Sequence, residues 1–316
     1  MPFSFTPLLL NLIVFRLTAV VAGAPRVPCF FIFGDSLVDN GNNNHLRTTA
    51  RVNYSPYGVD FPDGPTGRFT NGRNIADVIA QMLGFDDFIP PFANFTTEDA
   101  LRGINYGSGG DGILDETGSH LDFFGAASPG MKTSGSALVG NYLPKFYASA
   151  ANSTAQQFAG ILIKQYLNQL RRLYYKGARK VAVLPLGRLG CVPQQIADYG
   201  SSFSACVEIS NDVVRIFDEE LKLLLDHLND RLPNAQFLYT TADVSDNGNV
   251  TVLSDPCCPL SAENPGSCAE GGAPCSNRDE YYFWDAFHPT EAAVLLSAEG
   301  LFDAVSPLFT RVVDVW

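Results

Sequence analysis

A serine hydroxyl is a poor nucleophile until a neighbouring base takes its proton. Ser36 follows the apolar run Pro28-Cys29-Phe30-Phe31-Ile32-Phe33 across the turn Gly34-Asp35. If that run is a strand of a parallel sheet, a residue at its C-terminal edge, entering the next helix, projects into the usual ligand crevice. The helix N-terminus would also offer backbone N–H groups to a developing oxyanion. A plainer role fits equally, in which Ser36 merely caps that helix.

A base can be sought among only 4 histidines. His45 and His120 lie in loop-like sequence without a patterned carboxylate nearby, and His227 falls on a helix where a solvated face suits it. His288 stands in Trp284-Asp285-Ala286-Phe287-His288-Pro289-Thr290. Asp285, three residues earlier and about one helical turn away, can bond Nδ1 and leave Nε2 free to take the serine proton. The competing arrangement is a surface Asp–His pair beside a helix start, with Thr290 as the cap. The aromatic neighbours Tyr281, Tyr282, Phe283, Trp284 and Phe287 argue for a partly buried pair.

The elements that must position these groups alternate along the chain. The run 28–33 lacks polar alternation and suits a strand buried on both faces. Residues 37–72, rich in Asn, Gly and Pro, read as loop. Residues 73–83 carry Ile75, Val78, Ile79, Met82 and Leu83 on one helical face, and Gly84 closes the helix. Residues 156–176 repeat Phe158, Leu162, Tyr166, Leu170 and Leu173 at helical spacing, with Gly177 just beyond. Lys180 to Leu186 reads as a buried strand, 207–230 as an amphipathic helix and 235–240 as a third strand. This alternation predicts a single α/β domain over 25–316, a three-layer α/β/α sandwich with a mostly parallel sheet. The stretch 118–150 is Gly-, Ser-, Ala- and Pro-rich, and a strand expected there is not evident.

Bulk properties narrow the partners. At 46% hydrophobic and 17% charged residues the chain can bury a core. A net charge of -12 repels phosphate backbones, so nucleic acid is not an expected partner. Residues 1–24 form an apolar stretch ending in Ala22-Gly23-Ala24, which resembles a cleaved signal peptide; a membrane anchor is the alternative. No later segment approaches the roughly 20 apolar residues of a membrane span. Of 7 cysteines, Cys257, Cys258, Cys268 and Cys275 crowd one Pro/Gly-rich stretch and suit disulfide stapling, with a zinc site the alternative. Cys191 and Cys206 are spaced to close another loop, which leaves Cys29 as the unpaired thiol. Asn53, Asn94, Asn152 and Asn249 each open an N-x-S/T sequon. Together these features predict an extracellular protein.

Several blocks also resemble one family. Phe33-Gly34-Asp35-Ser36-Leu37 with Val38-Asp39-Asn40-Gly41-Asn42-Asn43 resembles the first signature block of the plant GDSL esterase/lipases. Asn105-Tyr106-Gly107-Ser108-Gly109-Gly110 resembles the second, and Asp285-Ala286-Phe287-His288-Pro289-Thr290 the fifth. Gly177-Ala178-Arg179-Lys180 and Gly190-Cys191-Val192-Pro193 extend the likeness, which runs from about residue 28 to 300. The resemblance implies the SGNH hydrolase superfamily, a flavodoxin-like sandwich, and a carboxylic-ester hydrolase needing no cofactor and no metal. It implies Ser36 as nucleophile and oxyanion donor, Gly110 as a second donor, His288 as general base and acid, and Asp285 as its orienting group. The implied substrate is a small-molecule or lipid ester. No G-x-S-x-G elbow is present, which separates the chain from the α/β-hydrolases.

One departure stands out. The family's third block, G-x-N-D, supplies an asparagine oxyanion donor, and no G-x-N-D occurs here. Gly140-Asn141-Tyr142 comes nearest but lacks the Asp and the preceding strand. Loss of one such donor costs on the order of 100- to 1000-fold in rate. The gap leaves two alternatives to a fully active esterase: a catalytically weak relative kept for binding, or an incomplete gene model of an active enzyme.

Overall fold

The computed structural model describes residues 24–118, 148–201, 205–240 and 249–309. The expected signal segment 1–24 lies almost wholly outside these residues. So do His120, Gly140-Asn141-Tyr142 and most of the stretch 118–150, in which a strand is not evident from the sequence.

Local chemistry sets the helix limits. Asn74 accepts a hydrogen bond from the Asp77 N–H, and Asp77 accepts one from the Asn74 N–H. This reciprocal capping box satisfies N–H groups that the first turn would orphan. It starts α1 (Ile75–Met82) inside the predicted span, and Gly84 ends that helix at φ 89°. A second capping box, Thr154 with Gln157, starts α2 (Ala155–Tyr175). Gly177 at φ 109° ends it: the Gly177 N–H bonds the Tyr174 carbonyl and the Ala178 N–H bonds the Leu173 carbonyl, the pattern of a Schellman stop. Pro193 at the first helical position opens α3 (Pro193–Tyr199), and α4 (Glu208–Arg231) matches the predicted amphipathic helix. Thr290 accepts a bond from the Ala293 N–H and caps α5 (Glu291–Val305).

The strands pair in parallel. β1 (Lys180–Val183) runs beside β2 (Gln236–Tyr239) in the register Lys180↔Gln236 to Val183↔Tyr239. β3 (Val252–Pro256) lies parallel to β4 (Tyr281–Phe283). Near the chain start, the Phe30 and Ile32 N–H groups bond the Arg102 and Ile104 carbonyls, and Tyr106 N–H returns to Ile32. The Asn105 and Phe92 N–H groups then tie 90–92 to the far edge of 102–108.

Parallel strands separated by helices make the chain α/β, as the pattern predicts. The buried-on-both-faces expectation needs correction. In 28–33 only Ile32 forms a strand bridge, and Phe31 is exposed while Ile32 is buried. Successive side chains point to opposite faces. Among the described residues only the Ile32 face meets helices, through Ile79, Leu83, Leu301 and Val305. β1 behaves likewise: Val183 is buried, Leu184 is exposed, and the strand stops at Val183 rather than Leu186.

The largest core lies between α2 and α4. Phe158, Leu162 and Leu170 meet Val213, Phe217, Leu221 and Leu225, with Val183 and Phe237 contributed by β1 and β2. A separate cluster joins Val52, Tyr57, Phe69 and Trp284 to the cysteine-rich loop. Cys191 pairs with Cys206 and Cys29 is free, as the spacing suggests, and the four clustered cysteines, whose partners the sequence leaves open, pair as Cys257–Cys275 and Cys258–Cys268. The crowded sulfurs are therefore bonded to one another, which displaces the zinc alternative. No helix among the described residues is long and apolar enough to cross a membrane.

Candidate active site

Ser36 and His288 come from opposite ends of the chain and meet. The Ser36 Oγ lies 2.7 Å from His288 Nε2. On the other side of the ring, Nδ1 is 2.8 Å from Asp285 Oδ2 and 2.9 Å from Oδ1. Asp285 is fully buried and His288 nearly so, which removes the surface-pair alternative. A carboxylate at Nδ1 fixes the tautomer that leaves Nε2 free to accept a proton.

The three-residue spacing works through a turn rather than a helix. Asp285 Oδ1 accepts the backbone N–H groups of Phe287 and His288, each at 2.8 Å, and so folds the segment back on itself. The Trp284 N–H then bonds the His288 carbonyl at 2.7 Å and closes the turn. Thr70 Oγ1 donates to the Pro289 carbonyl, and the Phe69 ring packs 4.9 Å from the imidazole. Thr290 is indeed a helix cap, as its position suggests, and it anchors the segment one residue past Pro289.

Ser36 needs a correction. No helix begins at it, so it neither caps one nor borrows a helix N-terminus. It sits in a tight turn in which Asp35 Oδ1 accepts the Leu37 N–H and the Val38 N–H bonds the Asp35 carbonyl. The physical reason lies downstream: Asp39 and the asparagines after it bond across the loop instead of continuing a helical ladder. Ser36 and His288 share a small cleft with Leu37, Phe69, Thr70, Asn74, Pro289 and Val294.

Gly110 lies in the turn of residues 109–110 at φ 83°, a backbone conformation that favours glycine. Its loop runs beside the Ser36 turn, because the Ser108 N–H bonds the Gly34 carbonyl. Buried amides sew the two loops together. Asn42 Nδ2 donates to the Asn105 and Gly107 carbonyls, Asn43 Nδ2 to the Gly109 carbonyl, and Asn105 Nδ2 to the Val38 carbonyl. Ser108 Oγ donates to Asn43 Oδ1 at 2.7 Å. A Cβ on Gly109 would come 2.5 Å from Phe69, so this loop must approach closely. Asp39 sits at the centre, accepting the Gly41, Asn42 and Gly109 N–H groups. Burial pushes its carboxyl up to about 7, against the pull of those three N–H groups.

This scaffold is not evident in the sequence alone. Gly41-Asn42-Asn43-Asn44 reads as loop, which is correct, yet Asn42 and Asn43 are buried and tie two functional loops. A run of asparagines between apolar segments was the available signal. Tyr57 is likewise not evident from the sequence: its hydroxyl donates to Asp285 Oδ2 at 2.7 Å. The other histidines fall as expected where described, with His45 and His227 exposed and away from the cleft.

A family profile described as GDSL-like Lipase/Acylhydrolase matches residues 30–301. The chain belongs to that family of carboxylic-ester hydrolases, whose substrates are small-molecule esters. Among its relatives are three Arabidopsis thaliana proteins, each called a GDSL esterase/lipase. They are 40%, 40% and 41% identical, over 93%, 87% and 85% of this chain and 92%, 87% and 86% of their own lengths. The alignment with the first extends over 342 positions, more than the 316 residues of this chain. That relative therefore carries internal residues that this chain lacks.

Proposed function

We propose that this protein is a secreted serine esterase that hydrolyses carboxylic esters through a covalent acyl-enzyme. The single observation that carries the proposal is the continuous chain Asp285–His288–Ser36, with each link at 2.9 Å or less. His288 Nε2 takes the Ser36 proton as Oγ attacks the acyl carbonyl. The carbonyl π electrons move onto its oxygen, and the backbone N–H groups of Ser36 and Gly110 receive that charge. His288 then returns the proton to the departing alkoxide. Water, deprotonated by the same nitrogen, attacks the acyl carbon and frees Ser36. Asp285 orients the ring and stabilises the imidazolium throughout.

Leu37 and Phe287, chain neighbours of Ser36 and His288, keep exposed apolar surface. That surface suits the hydrocarbon part of an acyl lipid or other acyl ester. Secretion is supported by the apolar leader, three disulfides and four sequons, whose asparagines Asn53, Asn94, Asn152 and Asn249 are all exposed.

The missing G-x-N-D block favours a second reading, a protein with the same triad and slow turnover. Turnover of p-nitrophenyl acetate and butyrate by the purified protein and by Ser36→Ala separates the possibilities. The esterase reading requires a rate that disappears in Ser36→Ala, and equal rates would reject it. A Ser36-dependent rate reduced about 100- to 1000-fold from that of a relative with G-x-N-D would support the second reading.

A further inference from the structure

The far side of Asp285 is held by a group that belongs to none of the signature blocks. Tyr57 is fully buried, and its hydroxyl makes two bonds. It donates to Asp285 Oδ2 at 2.7 Å and accepts the Cys268 backbone N–H at 3.0 Å. Burial first, and then the charge of Asp285, push this phenol well above its ordinary value, so it remains an O–H donor. The Cys268 carbonyl accepts a second phenol, Tyr54, at 3.1 Å. The backbone of Cys268 is thus gripped at its N–H and at its carbonyl by tyrosines whose rings meet edge to face at 5.4 Å. Cys268 is bonded to Cys258, whose N–H in turn bonds the Trp284 carbonyl, one residue before Asp285.

We infer that Tyr57 is a positioning residue of the hydrolytic site, which fixes the Asp285 carboxylate against His288 and anchors it to the Cys258–Cys268 loop. The inference rests on the triad reading above. Asp285 Oδ2 faces both Tyr57 and His288 Nδ1, so the two donors share one oxygen. Removing the phenol O–H leaves more negative charge for the imidazolium and frees the carboxylate to rotate. It also leaves the Cys268 N–H without this acceptor in a buried place. The first effect alters proton affinity along the Asp–His pair, which a merely structural role would not do.

The test compares wild type with Tyr57→Phe, Tyr54→Phe and a protein carrying 3-fluorotyrosine at position 57. The first readout is the downfield Nδ1–H proton resonance of the Asp285–His288 bond, identified by its loss in His288→Gln. The second is the pH profile of kcat/KM on p-nitrophenyl butyrate. Tyr57→Phe should shift the resonance, move the acid limb to higher pH and lower kcat/KM about 10- to 100-fold. Fluorotyrosine, a stronger donor that keeps the ring, should move resonance and limb the opposite way. Tyr54→Phe, which loses only the bond to the Cys268 carbonyl, should leave both in place. A resonance that stays fixed in both position-57 proteins overturns the inference. The fluorotyrosine protein decides the matter if Tyr57→Phe does not fold. A wild-type protein without Ser36-dependent turnover would reject the esterase reading alone, because the resonance tests Tyr57 without turnover.

Discussion

His288 Nε2 lies 2.7 Å from Ser36 Oγ although 252 residues separate them in the chain. Two tight turns make the contact, one folded by Asp35 and one by Asp285, and neither depends on a helix. Asp285 accepts four donors in all: two backbone N–H groups, the imidazole and the Tyr57 phenol. Asp285→Asn should fold, because an amide oxygen can still accept the Phe287 and His288 N–H groups. Its NH2 would face Nδ1 and favour the wrong tautomer. The expected loss in kcat is about 10,000-fold, measured as steady-state ester hydrolysis at neutral pH.

Asp39 gives the fold a pH dependence of unusual sign. Its folded value, about 7, lies above the ordinary 3.8. Between those values the folded state holds a proton that the unfolded chain has released. This group's contribution to stability therefore falls as pH rises from about 4 to 7 and is level above that. Urea unfolding at pH 5 and pH 8 should show a larger loss in wild type than in Asp39→Asn. The variant should also hydrolyse esters more slowly, since its amide NH2 cannot accept the Gly109 N–H as Oδ2 does.

Arg68 and Asp77 form a buried, two-pronged ion pair, with Arg68 Nε 2.7 Å and Nη2 2.9 Å from the carboxylate. The guanidinium also lies over the Phe61 ring, 4.2 Å from its centroid. Asp77 serves at the same time in the capping box of α1. Asp77→Ala should cost about 3–5 kcal/mol in urea unfolding, because it leaves a buried guanidinium unpaired. Replacing the same carboxylate on the surface would cost far less.

The disulfides should separate by role. Cys191–Cys206 closes a loop of 15 residues and joins the segments that precede α3 and α4, and it lies outside the Tyr57–Cys268 contact that holds Asp285. A Cys191→Ala/Cys206→Ala protein should lose about 3 kcal/mol of stability and keep the pH profile of the folded enzyme. Cys258→Ala/Cys268→Ala should change that profile, because Cys268 holds Tyr57. Melting curves and kcat/KM profiles of the two double variants make the comparison.

The sequence was most legible where one residue type answers one physical need. Helical periodicity with Gly84 and Gly177 marked the ends of α1 and α2. Elimination among few histidines brought out His288, and Asp285 followed from spacing. Burial was less legible: the unbroken apolar run 28–33 suggested two covered faces, whereas Phe31 is exposed. An apolar side chain can be left on the surface, so composition alone does not fix its partner. The polar scaffold was least legible. Asp39, Asn42, Asn43 and Asn105 look like loop residues because polar side chains usually are. Their burial depends on bonds between segments more than 60 residues apart, such as Asn42 with Gly107. Tyr57 is the same case at greater distance, 228 residues from Asp285.

The central claim is that Ser36 is a base-activated nucleophile. A fluorophosphonate reacts with such a serine and leaves an adduct whose site peptide mass spectrometry identifies. The account predicts rapid adduct formation on Ser36, slowed at least 1000-fold in His288→Gln and absent in Ser36→Ala. Folded wild-type protein that stays unmodified, or carries the adduct on another residue, would contradict it.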